Sequence, residues 1–241
     1  MCETCGCGDP DLVPVEVAES LLAENDHAAA HNREHFRAAG VTAVNLMGSP
    51  GSGKTALLEA TASRMGDHLR LAAVSGDLAT TRDADRLEVA GIPSRSITTG
   101  SACHLDARLV HDRLHEMSHD GLGLDTMDLF FIENVGNLVC PAIYDLGQEA
   151  NVVALAITEG EDKPLKYPVM FRKADLVVLT KIDLVPHLPG FDLAALEDAL
   201  AQVMPDPKII RSSSVTGEGI DEWVTWLETC RQSATEVVKV T

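Results

Sequence analysis

The sequence predicts an α/β fold of the P-loop NTPase type, a mostly parallel sheet with helices on both faces. Apolar runs of about five to eight residues alternate with helical stretches along the chain, the pattern of strands separated by crossover helices. The first run leads straight into a glycine-rich loop that opens a helix. The runs are apolar enough for strands buried on both faces.

The elements follow in order. Val15 to Ala39 reads as a helix ending at Gly40, where a glycine cap is expected. VTAVNLM (41–47) is a strand, followed by the glycine-rich loop and the helical KTALLEATASRM. LRLAAVSGD (69–77) reads as a strand, TTRDADRLEVAG as a helix, PSRSITTG as a short strand and CHLDARLVHDRLHEMS as a helix. DLFFIENV (128–135) is a strong strand. NVVALAITEG, DLVVLTKID and KIIRSSS supply three more, with helices over 191–204 and 219–232. The chain therefore divides into a cysteine segment at 1–13, an N-terminal helix at 14–40, a P-loop domain at 41–232 and a polar tail at 233–241 that is expected to fray.

At 241 residues and 45% hydrophobic, the chain can bury a core without covalent staples. A formal charge of −18 with no Lys/Arg-rich run argues against nucleic acid and anionic membranes as partners. No apolar run reaches about 18 residues, so no membrane span is expected. No basic stretch followed by an apolar one suggests a secretory signal. The six cysteines are thus expected in the reducing cytoplasm, where clustered thiols bind metal or do redox work.

GSPGSGKT (48–55) matches the phosphate-loop pattern. The candidate nucleotide contacts are Gly48, Ser49, Gly51, Ser52, Gly53, Lys54, Thr55 and Ala56. The glycines let backbone N–H groups close around phosphates, and the following helix N-terminus favours negative charge. Lys54 is expected to reach the β- and γ-phosphates and the Thr55 hydroxyl to ligate Mg²⁺. Asp77 and Glu133 end strands where a magnesium-shell acid is expected. No residue stands out as a water-activating base, so slow turnover is expected.

Thr180–Lys181–Ile182–Asp183 follows a strand, as the guanine-reading Asn-Lys-x-Asp pattern does. There the Asp183 carboxylate accepts from the guanine N1–H and amine, and the Lys181 stem lies along the ring. Adenine offers no such donor pair, so the site favours GTP over ATP. Thr180 stands where Asn is usual, a change expected to affect affinity rather than base choice. SSSVTGEG (212–219) reads as the last guanine-contacting loop, with Ser213 and Ser214 as contacts.

Cys2-x-x-Cys5-x-Cys7 brings three thiols within reach of one ion, and the Cys2 amine, once Met1 is removed, supplies a fourth donor. Such a set suits planar Ni²⁺, and tetrahedral Zn²⁺ or Cu⁺ is also chemically acceptable. Cys103 and His104, with Cys140, form a second candidate at the carboxyl edge of the sheet, the rim that carries the phosphate loop. Cys103 is expected to open a helix whose dipole lowers its thiol pKa. One chain gives three donors there, and an isologous dimer could complete the site across its two-fold axis. His27, His31 and His35, and again His111, His115 and His119, recur every four residues. That spacing permits metal binding, but solvated polar faces are expected. Cys230 is isolated and has no assigned role.

CETCGCG, VNLMGSPGSGKT, SGDLATTRDADR, TTGSACHLDARLV, FIENVGNLVCPA, TKIDLVP and SSSVTGEGIDEWVTWL occur in one order. In these motifs, over residues 1 to about 230, the chain resembles the nickel-incorporation GTPases of hydrogenase maturation, the HypB family. The resemblance implies a G domain of the SIMIBI class that uses GTP with Mg²⁺ and forms a nucleotide-linked homodimer. It implies delivery of Ni²⁺ to the hydrogenase large subunit, alongside a small zinc-containing nickel chaperone. The family's G-domain ligands for nickel or zinc map onto Cys103, His104 and Cys140, and its N-terminal nickel motif onto Cys2, Cys5 and Cys7. The histidine-rich tract of some relatives is missing, so bulk nickel storage is not expected. The rival readings are a urease-type maturation GTPase, which shows Cys-Pro-His where this chain has Ala-Cys-His, a metal buffer with a mainly structural nucleotide site, and an ATP-dependent kinase.

Overall fold

The structure, a computed structural model, describes residues 15–100 and 102–240. The apolar runs become seven strands: β1 Thr42–Met47, β2 Leu71–Asp77, β3 Ser94–Thr98, β4 Leu129–Glu133, β5 Ala150–Ala156, β6 Leu176–Thr180 and β7 Ile209–Arg211. All pairings are parallel, in the order β3-β2-β4-β1-β5-β6-β7. Parallel pairing needs long crossovers, and helices supply most of them. They are α1 Val15–Ala39, α2 Lys54–Met65, α3 Arg82–Val89, α4 Ala107–His119, α5 Lys163–Lys166, α6 Pro168–Arg172, α7 Leu193–Val203 and α8 Ile220–Val240.

Both sheet faces are covered, and the two-residue period of a strand divides its side chains between them. Val44, Leu46, Phe131 and Ala154 pack with Leu57 and Leu58 of α2, Leu87 of α3 and Trp223 and Leu227 of α8. Ala43, Phe130 and Ile132 point the other way, onto Phe36 of α1 and Val110 and Met117 of α4. Further along that second face, Val153, Leu155 and Leu179 meet Met170 and Phe171 of α6 and Leu196 and Leu200 of α7. The continuous apolar composition of the strands follows from this double burial.

Two element bounds differ from the sequence expectation. α4 starts at Ala107, because Asp106 caps it by accepting from the Leu109 N–H at 2.8 Å. Cys103 and His104 therefore lie in the loop before the helix, and its N-terminal dipole acts on Asp106 rather than on the Cys103 thiol. α8 continues to Val240, past the 232 bound suggested by the polar tail, since no glycine or proline interrupts the residues after Trp226. No helix among the described residues is long and apolar enough to cross a membrane.

Trp223 has no exposed surface, and its indole N–H donates to Thr61 Oγ1 at 2.8 Å, joining α8 to α2 beneath the sheet. Trp223→Ala removes a large core side chain and leaves the Thr61 hydroxyl with one partner fewer. It is expected to lower unfolding free energy by about 3–5 kcal/mol, read from the urea midpoint.

Candidate functional site

β1 ends at Met47, and the chain turns through the glycine-rich loop into α2. Gly48 has a φ of 149°, and a Cβ there would stand 2.3 Å from the Ala154 carbonyl oxygen, so the loop lies against β5 only with glycine. Lys54 folds back over the loop, donating to the carbonyls of Gly48 at 3.2 Å and Ser49 at 3.1 Å. Burial holds the Lys54 ammonium below its ordinary pKa, while Glu133, Asp83 and Glu159 act in the opposite sense. Ser49 Oγ donates to Glu159 Oε2 at 2.5 Å, and the other Glu159 oxygen accepts from the Ala156 N–H at 3.1 Å. The loop is thus tied to the end of β5 by a residue that the sequence motifs did not single out. Ser52 Oγ, at the centre of the loop, is buried with no hydrogen-bond partner. A glycine-rich loop that opens a helix, with an orphaned hydroxyl at its centre, fits a phosphate ligand.

The acids gather around Thr55. Its Oγ1 lies 2.7 Å from Glu133 Oε1 and 2.9 Å from Asp83 Oδ1, and Ser75 Oγ donates to Glu133 Oε2 at 3.2 Å. Burial raises the Glu133 pKa, against the hydrogen bond from Thr55 and the charge of Lys54. Asp77 lines the same cleft, but its Oδ1 accepts from the backbone of Ala79 at 2.8 Å and Thr80 at 3.0 Å. Those bonds hold its carboxyl below the usual range and spend one oxygen on its own turn. Asp83, in the first turn of α3, is the acid nearer Thr55 that the motif reading missed. Its signal was an acid opening the helix after β2. The cleft encloses about 450 Å³. Its hydroxyl and carboxylate oxygens are the donor set of a hard cation, so Thr55, Glu133, Asp83 and Asp77 fit Mg²⁺.

The segments expected to read the base meet the phosphate loop directly. Thr180 Oγ1 donates to the Ser52 carbonyl at 2.5 Å, and Lys181, held at a φ of 60°, donates from Nζ to the Gly51 carbonyl at 2.7 Å. Thr180, the departure from the usual Asn, braces the loop itself. Asp183 follows in a short 3₁₀ turn, and the Ile182 N–H donates to the Ser212 carbonyl at 3.1 Å, joining the two base loops. Ser213 is buried, and its Oγ accepts from the N–H groups of Val215 at 3.2 Å and Thr216 at 3.1 Å. It shapes the turn that leaves Ser214 exposed.

The structure brings Cys103, His104 and Cys140 together. The Cys103 and Cys140 sulfurs lie 2.8 Å apart, and Cys103 Sγ is 3.8 Å from His104 Nδ1. One ligand atom from each residue falls within 4.8 Å of the others. His104 stacks on the Tyr144 ring at 3.9 Å, and burial holds its imidazole below the ordinary pKa, in the neutral form that binds metal. Two thiols and an imidazole suit a borderline divalent ion. Cys2, Cys5 and Cys7 lie outside the described residues. Cys230 stands on α8, away from the cluster, and burial pushes its thiol up to about 11, a poor ligand.

One segment touches both sites. From Glu133 the chain sends the Asn134 N–H to the Leu46 carbonyl at 2.9 Å and the Asn137 N–H to the Gly48 carbonyl at 3.1 Å, then reaches Cys140. A Cβ on Gly136 would come within 2.8 Å of Pro50, so this segment lies flat on the phosphate loop. Asn134 Oδ1 also accepts from the Leu105 N–H at 3.2 Å, beside His104.

A parallel sheet carrying this loop, its acids and the paired thiols defines a P-loop nucleotide-binding protein. Residues 42–211 match the CobW/HypB/UreG nucleotide-binding domain. The hydrogenase maturation factor HypB of Azotobacter chroococcum is 48% identical over 214 residues, covering 89% of this chain and 68% of the relative. The chain belongs to the HypB family. A crystal structure of HypB from Helicobacter pylori in complex with nickel superposes with a TM-score of 0.82 at 38% identity, covering 87% of this chain and 96% of that one. HypB from Archaeoglobus fulgidus gives 0.79 at 40% identity, covering 87% of this chain and all of that one, 100%.

Thr180→Ala removes the buried bond to the Ser52 carbonyl and should loosen the phosphate loop. Nucleotide affinity is expected to fall about tenfold, near the roughly 1–1.5 kcal/mol of one such bond, measured by calorimetry with GDP.

Proposed function

We propose that this chain is a GTP-hydrolysing nickel metallochaperone that assists nickel insertion into the large subunit of NiFe-hydrogenase. The observation that carries the reading is the segment from Glu133 to Cys140, which joins an acid of the nucleotide cleft to a thiol of the Cys103–His104–Cys140 cluster. The crystal structure of the Helicobacter pylori relative in complex with nickel supports nickel as cargo.

In hydrolysis a water oxygen bonds to the γ-phosphorus while the bond to the β–γ bridging oxygen breaks, giving GDP and inorganic phosphate. The main-chain amides of 48–54 would hold the β-phosphate, and Lys54 would leave its loop carbonyls for the β- and γ-oxygens. Bound Mg²⁺ supplies positive charge that neutralises the developing charge on those oxygens. Thr55 and the Glu133 and Asp83 carboxylates would hold it, with Asp77 at the rim. Asp183 would accept from the guanine N1–H and amine, Lys181 would lie along the ring and Ser214 would border the base.

Nickel is carried as substrate. Cys103, His104 and Cys140 would give it two thiolates and one neutral imidazole, and Zn²⁺ is a competing occupant with the same donor preference. Loss of the γ-phosphate would relax the loop at Gly48 and Pro50, and the Asn137 and Gly136 contacts would carry that change to Cys140. A second copy of the chain would complete the coordination across a two-fold axis, making dimerisation a function of nucleotide and metal together. Cys2, Cys5 and Cys7 would hold a further nickel ion. The partners in this reading are a small zinc-containing nickel chaperone, which would supply the ion, and the hydrogenase large subunit, which would accept it.

Lys54→Ala is expected to abolish GTP hydrolysis, followed as phosphate release, while Ni²⁺ titration of the variant still saturates the thiol cluster. Normal turnover in this variant would sink the phosphate-site assignment. Asp183→Ala is expected to cost GTP its preference over ATP by about tenfold or more in competition binding, because the base loses its paired acceptor. Unchanged selectivity would move guanine recognition elsewhere.

A further inference from the structure

The two histidine series of α1 and α4 do not remain separate. His31 and His35 are one turn apart on the exposed side of α1, with ring centroids 4.2 Å apart. Half-buried His111 of α4 completes a triangle, its centroid 5.1 Å from His31 and 6.0 Å from His35. One ring nitrogen from each falls within 4.8 Å of the others. His27, His115 and His119 stay outside this group.

We infer that His31, His35 and His111 form a second, surface metal site that takes a borderline first-row divalent cation such as Zn²⁺ or Ni²⁺ between α1 and α4. Imidazole nitrogen is a preferred donor for these ions, and a pair of histidines at i and i+4 presents two of them on one helical face. Nitrogens bind such ions at about 2.0–2.1 Å, so a shared ion would draw the two exposed rings of α1 and the half-buried ring of His111 closer together. Burial and the neighbouring rings hold His111 below its ordinary pKa, which favours its ligand form. Three neutral nitrogens with water in the remaining positions would hold an ion more loosely than two thiolates and an imidazole, so this site would exchange faster than the cysteine cluster.

The seam that carries the histidines also frames the cysteine cluster. On α1, Asn25 Oδ1 accepts from the Ala107 N–H at 2.9 Å, and Asn32 donates to the Ala107 carbonyl at 2.8 Å. His111 is one turn further along α4, about 6 Å by helical rise. An ion on the histidines would cross-link α1 to the helix that follows His104, and would stabilise that seam by mass action.

The test isolates the nitrogen site in the full-length chain by changing Cys2, Cys5, Cys7, Cys103 and Cys140 to Ser. Equilibrium dialysis against Zn²⁺ is expected to leave one ion bound per chain, with a rise in melting temperature. Adding His31→Ala, His35→Ala or His111→Ala should weaken binding by about tenfold or more. His27→Ala and His119→Ala should leave it unchanged. To keep the test independent of the fold of the five-serine chain, the unaltered chain is titrated in parallel, where His35→Ala should remove one Zn²⁺ equivalent. No Zn²⁺ on the folded five-serine chain, binding that survives both His35→Ala and His111→Ala, or an unchanged stoichiometry in the parallel titration would each overturn the site. These outcomes concern α1 and α4 alone and are independent of the nickel-delivery reading.

Discussion

The register of β1 against β4 is the constraint on which both sites rest. Leu46 pairs with Glu133, so the strand that feeds the phosphate loop ends beside the acid that faces Thr55. The ladder then runs on beyond the strands, through Asn134 to Leu46 and Asn137 to Gly48. A slip of one residue would turn Glu133 toward the opposite face and part the loop from the segment that bears Cys140. Buried amides reinforce the pairing. Asn134 donates to Asn45 at 3.2 Å, and Asn45 donates to Asn151 of β5 at 3.0 Å, a row of side chains across three central strands. In an apolar interior each would be costly without its partner, so the row penalises any other alignment.

Much of this was legible in the sequence because its signals are local. The phosphate loop is set by glycines within eight residues, and the strands by apolar runs that need burial on both sides. The thiol cluster was legible as well, since strand ends of a parallel sheet share one rim. What local pattern could not supply was the contact between segments distant in sequence. Asp83 near Thr55, Glu159 on Ser49 and Thr180 on the Ser52 carbonyl depend on how loops lean once the sheet is built. The start of α4 was misjudged for a related reason. CHLDARLV reads as one amphipathic stretch, and the Asp106 side chain, in competition with the backbone, decides where the helix begins. The meeting of His111 with His31 and His35 lay beyond reach because it depends on the packing of α1 on α4.

Electrostatics divide the labour between the two sites. The nucleotide cleft collects oxygen donors and a buried lysine, a setting for hard cations and phosphate, whereas the thiol cluster collects sulfur and a neutral imidazole. Neither donor set suits the other's preferred kind of ion, so the two sites are chemically distinct although they share one rim. The overall negative charge of the chain leaves both open to cations from solution.

The α1 helix grips the loops that carry His104 and Cys140 from two directions. Asn25 donates to the Asp145 carbonyl and Asn32 to that of Leu146, while Arg33 pairs with the Asp145 carboxylate at 2.7 Å. The same asparagines hold Ala107, so α1 is a clasp spanning the chain just after His104 and just after Cys140. A pull on this clasp would strain the loops that carry the two thiols without touching either cysteine, so α1 acts as a lever on their spacing.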